Sequence, residues 1–238
     1  MDEQKKQFQI LRTPPKTDFK SRLRLFCFHH LGDTANPLFR GWQDKLSPLI
    51  EVCPVQVPER EQLIRAIGPV QNPAKTASIE AGIPQDRINA PPYVKLKLWV
   101  ESLAAALTPV LSEKPFAFFG HRFGALVGFE LSRCLRKSGS PLPYYLFFSG
   151  QRAPQLEPRD PFIIDNYRYS SEPPLKIPIS IFGGLHDLEV GEADFDAWRT
   201  QADGDFSIHM FSGVDFLSKP TERLFIEGIR SDLKRILL

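Results

Sequence analysis

The chain has 238 residues, 42% apolar and 24% charged, with 30 basic against 28 acidic side chains. That length suits one α/β domain with a sizeable core, and a formal net charge of +2 leaves no electrostatic footprint for nucleic acid and no polybasic membrane patch. No apolar run approaches a bilayer span, Met1-Asp2-Glu3-Gln4-Lys5-Lys6 has no apolar signal core, and three cysteines without metal-type spacing point to a reducing, cytoplasmic setting instead of a disulfide framework.

Taken in chain order, residues 1–20 are polar, contain Pro14-Pro15 and read as an N-terminal tail, with an edge strand at Phe8 to Leu11 as the alternative. Residues 21–238 are expected to form a single α/β domain. Leu23 to Phe28 is a short, aromatic, buried strand that ends at His29-His30-Leu31-Gly32-Asp33. Asn36 to Leu46 reads as a helix and Leu49 to Val57 as the next strand. Residues 65–92 carry Gly68-Pro69, Asn72-Pro73, Gly82, Pro84 and Pro91-Pro92, which mark an inserted loop. Helical periodicity returns over Val94 to Leu111, where Leu96, Val100, Leu103, Leu107, Val110 and Leu111 make a stripe for core packing. Tyr144 to Ser149, Ile177 to Phe182 and Phe206 to Phe211 are further strands, with His209 expected at the surface of an edge strand. Thr221 to Leu238 is an amphipathic helix carrying Leu224, Phe225, Ile229, Leu233, Ile236 and Leu237, with Pro220 at its start.

The chain is organised around Phe116-Ala117-Phe118-Phe119-Gly120-His121-Arg122-Phe123-Gly124-Ala125, a buried strand that turns tightly into the helix Phe123 to Lys137. A strand, G-x-S-x-G and a helix make the nucleophile elbow of α/β-hydrolases. Both glycines are present, and Arg122 stands where the serine belongs. This segment, followed by Phe129-Glu130-Leu131-Ser132-Arg133, resembles the Gly-His-Ser-Met/Phe-Gly-Ala elbow of type II thioesterases, the stand-alone editing enzymes of nonribosomal peptide and polyketide synthesis. Arg24 to His29, Phe39-Arg40-Gly41-Trp42, Pro54 to Glu61, Ser149 to Pro154, Gly183-Gly184 with Asp187, and Gly213 to Leu217 resemble further motifs of that family, in the family's order. The resemblance implies the α/β-hydrolase fold, a mostly parallel twisted sheet with helices on both faces. Arg159-Asp160-Pro161 leads almost directly into Phe162 to Tyr169, which resembles the segment after the family's lid, so the lid is expected to be reduced or missing.

The resemblance also implies a triad of attacking serine, proton-accepting histidine and orienting carboxylate. Asp187 matches the carboxylate, Arg122 fills the nucleophile position and Val214 the histidine position. A guanidinium has no lone pair for attack, and valine takes no proton. Leu31 and Phe123 match the oxyanion-hole positions, with Asp33 an unfavourable charge beside them. Two readings of Arg122 stand. It reaches solvent or pairs with Asp187 or Asp215, or it grips an anion such as a carboxylate or the phosphate of a carrier-protein pantetheine arm. His29, His30, His121 and His186 are expected at the same sheet edge as candidate binding residues. A Cys27–His29 nucleophile pair competes with a buried, inert Cys27, and the same packing reading covers Cys53 and Cys134. No ligand spacing calls for a metal, and no cofactor is expected. Three functions follow: a non-hydrolytic thioesterase-like protein binding a carrier protein, synthetase module or other protein partner; an acyl hydrolase or other enzyme with non-standard residues at the same site; and a structural subunit of a larger complex.

Overall fold

The computed structural model describes residues 21–30, 38–46, 48–55, 92–159, 163, 167–212 and 219–237. The tail at 1–20, the Phe8 to Leu11 alternative, the insertion apart from Pro92, and Leu31, Asp33, Val214 and Asp215 lie outside them.

Six strands form one sheet: β1 (Leu23–Phe28), β2 (Ile50–Val55), β3 (Phe116–His121), β4 (Leu146–Ser149), β5 (Ile179–Gly184) and β6 (Phe206–Phe211). Their order is β2-β1-β3-β4-β5-β6 and every neighbouring pair is parallel. A parallel sheet needs cover on both faces, so its strands read as apolar runs rather than as alternating ones. In β1 all six residues are buried, and the pleat divides them. Leu23, Leu25 and Cys27 join one core cluster, while Phe26 and Phe28 join the other.

The helices are α1 (Trp42–Lys45), α2 (Pro92–Leu111), α3 (Phe123–Ser138), α4 (Glu192–Asp196) and α5 (Lys219–Leu237), with a 3₁₀ turn at Ala197–Gln201. α2 and α3 cover one face of the sheet: Leu96, Trp99, Leu103 and Leu107 pack with Phe123, Leu126, Phe129 and Leu135 over Phe118 and Phe148. α1 and α5 cover the other, where Trp42 and Phe225 meet Phe119 at centroid distances of 5.0 and 5.2 Å. Among the described residues no helix is long and apolar enough to cross a membrane.

Several expected bounds move, each for a local reason. The helix read over Asn36 to Leu46 is interrupted: Leu38 is helical, and the chain turns through Phe39 and Arg40 before Trp42–Lys45, because Gly41 has φ +77° and cannot continue a right-handed helix. The strand read from Tyr144 begins at Leu146, and that read from Ile177 begins at Ile179, since Pro178 has no N–H for a ladder. α2 begins at Pro92, a residue suited to a helix start. His209 lies on edge strand β6 as expected, yet it is not a bare surface side chain: it stacks on Phe182 at 4.7 Å and meets Asp232 at 3.3 Å. Within α5, Leu224 is exposed and Ile226 takes a core position instead.

The strand order reverses direction between β1 and β3. Ligands of open α/β sheets collect beyond the carboxyl ends of strands at such a switch point. His29 follows β1 there, and Gly120 to Arg122 end β3 there.

Candidate functional site

The elbow is a matter of backbone clearance. A Cβ built on Gly120 would stand 2.3 Å from the Gly124 carbonyl oxygen, and one on Gly124 would stand 2.2 Å from the Phe28 oxygen. No side chain fits at either, which is why strand and helix can approach this closely. Between them Arg122 has φ 53° and ψ −123°, the only positive φ outside glycine among the described residues. Such a conformation costs on the order of 1–3 kcal/mol and persists where its surroundings enforce it. Here the Arg122 N–H donates to the Ser149 carbonyl at 2.8 Å and the Ala125 N–H donates back to the Arg122 carbonyl at 2.9 Å.

The Arg122 side chain crosses the ends of β4 and β5. It passes over Gly150, where an added Cβ would lie 3.1 Å from Arg122 Nε; Gly150 itself has φ +62° and tolerates the turn for want of a side chain. Beyond it, Arg122 Nη2 meets Asp187 Oδ2 at 2.9 Å and Nη1 meets Glu189 Oε2 at 2.9 Å. Asp187 is nearly closed to solvent, with its side chain 8% exposed. Its other oxygen, Oδ1, accepts the N–H groups of Glu189 at 2.9 Å and Val190 at 3.2 Å. The carboxylate expected to orient a histidine therefore has its oxygens engaged by the chain itself. Of the sequence readings of Arg122, the pairing with Asp187 is the geometry observed.

The four histidines do not converge. His29 is fully buried, with Nδ1 2.7 Å from the His30 carbonyl oxygen. His186 is exposed in the loop after β5. His121 and His30 are close enough for charge on one to disfavour charge on the other. His121 Nδ1 lies 3.3 Å from Ser149 Oγ. Burial first, then Arg122 and His30, push the His121 imidazole down to about 3, so it stays neutral at ordinary pH and is too weak a base to hold a proton taken from serine. Phe123, the oxyanion position, is buried at the first turn of α3.

Cys27 is the buried, inert residue. Its Sγ donates to the Leu25 carbonyl at 3.5 Å, and burial pushes its thiol well up, so no thiolate forms for attack. Cys53 is also buried, and Cys134 is half-buried in α3. Among the described residues no three His, Cys, Asp or Glu side chains are grouped to hold a metal ion.

Sequence reasoning missed Glu189, Gly150 and Arg159, whose Nη1 donates to the Glu189 carbonyl at 2.7 Å. A glycine directly after a strand end at Ser149 was a signal for Gly150, and a second carboxylate two residues after Asp187 was a signal for Glu189.

A family model described as a thioesterase domain matches residues 76–161. The linear gramicidin dehydrogenase LgrE of Brevibacillus parabrevis is 29% identical over 94% of this chain and 92% of its own length. The gramicidin S biosynthesis protein GrsT of Aneurinibacillus migulanus is 27% identical over 91% of each. Among solved structures, RedJ, a thioesterase from the prodiginine biosynthetic pathway in Streptomyces coelicolor, superposes with a TM-score of 0.71 at 25% identity, covering 90% of this chain and 87% of its own.

Proposed function

We propose that this chain, matched by a thioesterase-domain model over residues 76–161 and similar to LgrE and GrsT over most of its length, is a thioesterase-family protein that binds an acyl-thioester ligand or the carrier protein that bears it and does not hydrolyse it. The observation that carries this reading is the Arg122 bridge to Asp187. At the elbow position a guanidinium replaces the attacking hydroxyl, and it also occupies the carboxylate that a catalytic histidine would need. Val214, at the position where the family resemblance calls for that histidine, is a further support. In subtilisin, loss of the nucleophile or the base lowers turnover about a millionfold, and the missing groups fail as a unit. The partner class is drawn from the relatives: one is named for gramicidin S biosynthesis and another for prodiginine biosynthesis, which suggests a carrier protein or synthetase module of a nonribosomal peptide or polyketide assembly.

The test is to offer acyl-coenzyme A and acyl-carrier thioesters to the purified chain. Binding without turnover above buffer is expected. Turnover that disappears in Arg122→Ala would sink the proposal. The double variant Arg122→Ser with Val214→His is expected to gain hydrolysis, because it supplies both groups and frees Asp187. Arg122→Ser alone is expected to stay inert.

A further inference from the structure

The two partners of Arg122 differ in kind. Asp187 is a fixed partner, 8% exposed and tied by two backbone N–H groups. Glu189 is an exchangeable one: its side chain is 76% exposed, and among the described residues Arg122 is the only partner recorded for its carboxylate. An ion pair this open contributes little and weakens with salt. The guanidinium edge that holds it is a fork suited to phosphate and carboxylate oxygens. A second guanidinium stands beside the same loop, since Arg159, 58% exposed, bonds the Glu189 main chain while meeting Asp194 at 3.5 Å. Arg122 also directly precedes the 16-residue helix α3, whose dipole favours an anion at that end.

We propose that the Glu189 carboxylate is a built-in stand-in for the phosphate-ester group of the ligand, which displaces it from Arg122 Nη1 with Arg159 alongside. Asp187 keeps hold of Nη2 throughout, so the guanidinium is aimed and not merely freed. The identity of the ligand rests on the binding role proposed above. The anion exchange is separable from it, because it can be measured without any acyl chain.

The experiment titrates the full chain, at fixed ionic strength, with inorganic phosphate, 4′-phosphopantetheine and pantetheine lacking the phosphate, by calorimetry or by chemical shifts. Glu189→Gln is expected to tighten phosphate and phosphopantetheine binding about fivefold, the equivalent of losing the competing pair, and to leave pantetheine unaffected. Arg122→Gln is expected to abolish phosphate binding, and Arg122→Lys, which keeps charge but loses the fork, to weaken it. Phosphate affinity unchanged by Glu189→Gln, or retained in Arg122→Gln, overturns the proposal. Should Arg122→Gln fail to fold, the Glu189→Gln and Arg122→Lys arms still decide it. Phosphopantetheine binding no tighter than inorganic phosphate overturns the ester assignment. Acyl thioesters that bind with no dependence on Glu189 defeat this inference and leave the binding role standing; phosphate binding without acyl-thioester binding does the reverse.

Discussion

α3 carries one arginine just before its start and another in its middle, and the two are held in opposite ways. Arg133 is 3% exposed. It meets Glu130 at 2.8 Å, pairs with Glu172, donates to the Ser170 carbonyl at 2.6 Å and lies 5.4 Å from the ring centres of both Phe129 and Tyr169. Burial opposes its charge, but Glu130 and Glu172 more than offset this and hold the guanidinium protonated. Arg122 is 24% exposed, with one closed partner and one open one. An arginine that is itself enclosed among several partners fastens the chain to itself; here Arg133 ties α3 to the segment 170–172. An arginine with an exchangeable partner can still meet something from outside. The difference locates the site at the start of the helix, where the backbone is also strained.

The largest expected effect tests the backbone under that contrast. Gly124→Ala puts a Cβ 2.2 Å from a main-chain oxygen of β1 and is expected to cost about 4 kcal/mol or more in urea unfolding. Gly128→Ala, one turn on, meets the Phe148 ring edge at 3.2 Å and otherwise only ordinary contacts with Phe28 and Phe118, and should cost far less. Arg133→Ala comes next, at about 3 kcal/mol, because it leaves Glu130 without its cation in a largely buried setting, while Glu172 keeps Arg136 and Lys137. Arg122→Ala is expected to stay within about 1 kcal/mol. Equal costs for the two arginines would break the comparison.

Acid sharpens it further. His121, beneath Arg122, titrates near 3 in the fold against 6.5 in the unfolded chain. Between those values the unfolded chain binds a proton that the folded chain refuses, so stability falls as pH drops from about 6.5. The lowered carboxyls of Glu51 and Glu172 contribute stability above their ordinary value of 4.5 and lose it only below that. Urea midpoints at about pH 7 and pH 5.5 should therefore separate in the native chain and draw together in His121→Asn. The smallest effect is Glu189→Gln, expected within about 0.5 kcal/mol of the native stability.

Much of this was legible in the sequence where the cause is local. The apolar run Leu23 to Phe28 and the run Phe206 to Phe211 are strands with those bounds: the first is fully enclosed and leaves little choice of residue, and the second is half-buried at the sheet edge. The pair Gly120 and Gly124 announced a close approach that the distances bear out. The short α4 and the 3₁₀ turn after it were not legible, since neither Glu192–Asp196 nor Ala197–Gln201 is long enough to show a period. Nor was the Tyr145–Ser180–Asp232–His209 network, assembled from the residue before β4 and from β5, β6 and α5, which gives His209 its partner.

What the sequence determined alone was chemical capacity: a guanidinium at residue 122 cannot attack, a valine at 214 cannot accept a proton, and two glycines permit a tight turn. What only the tertiary structure decided was company. Arg122 and Glu189 are 67 residues apart along the chain, and they meet because parallel order sets the ends of β3, β4 and β5 side by side while Gly150 leaves room for the side chain to cross. Composition limits what a side chain can do, but the path of the backbone chooses which charges it faces and whether those charges can be exchanged.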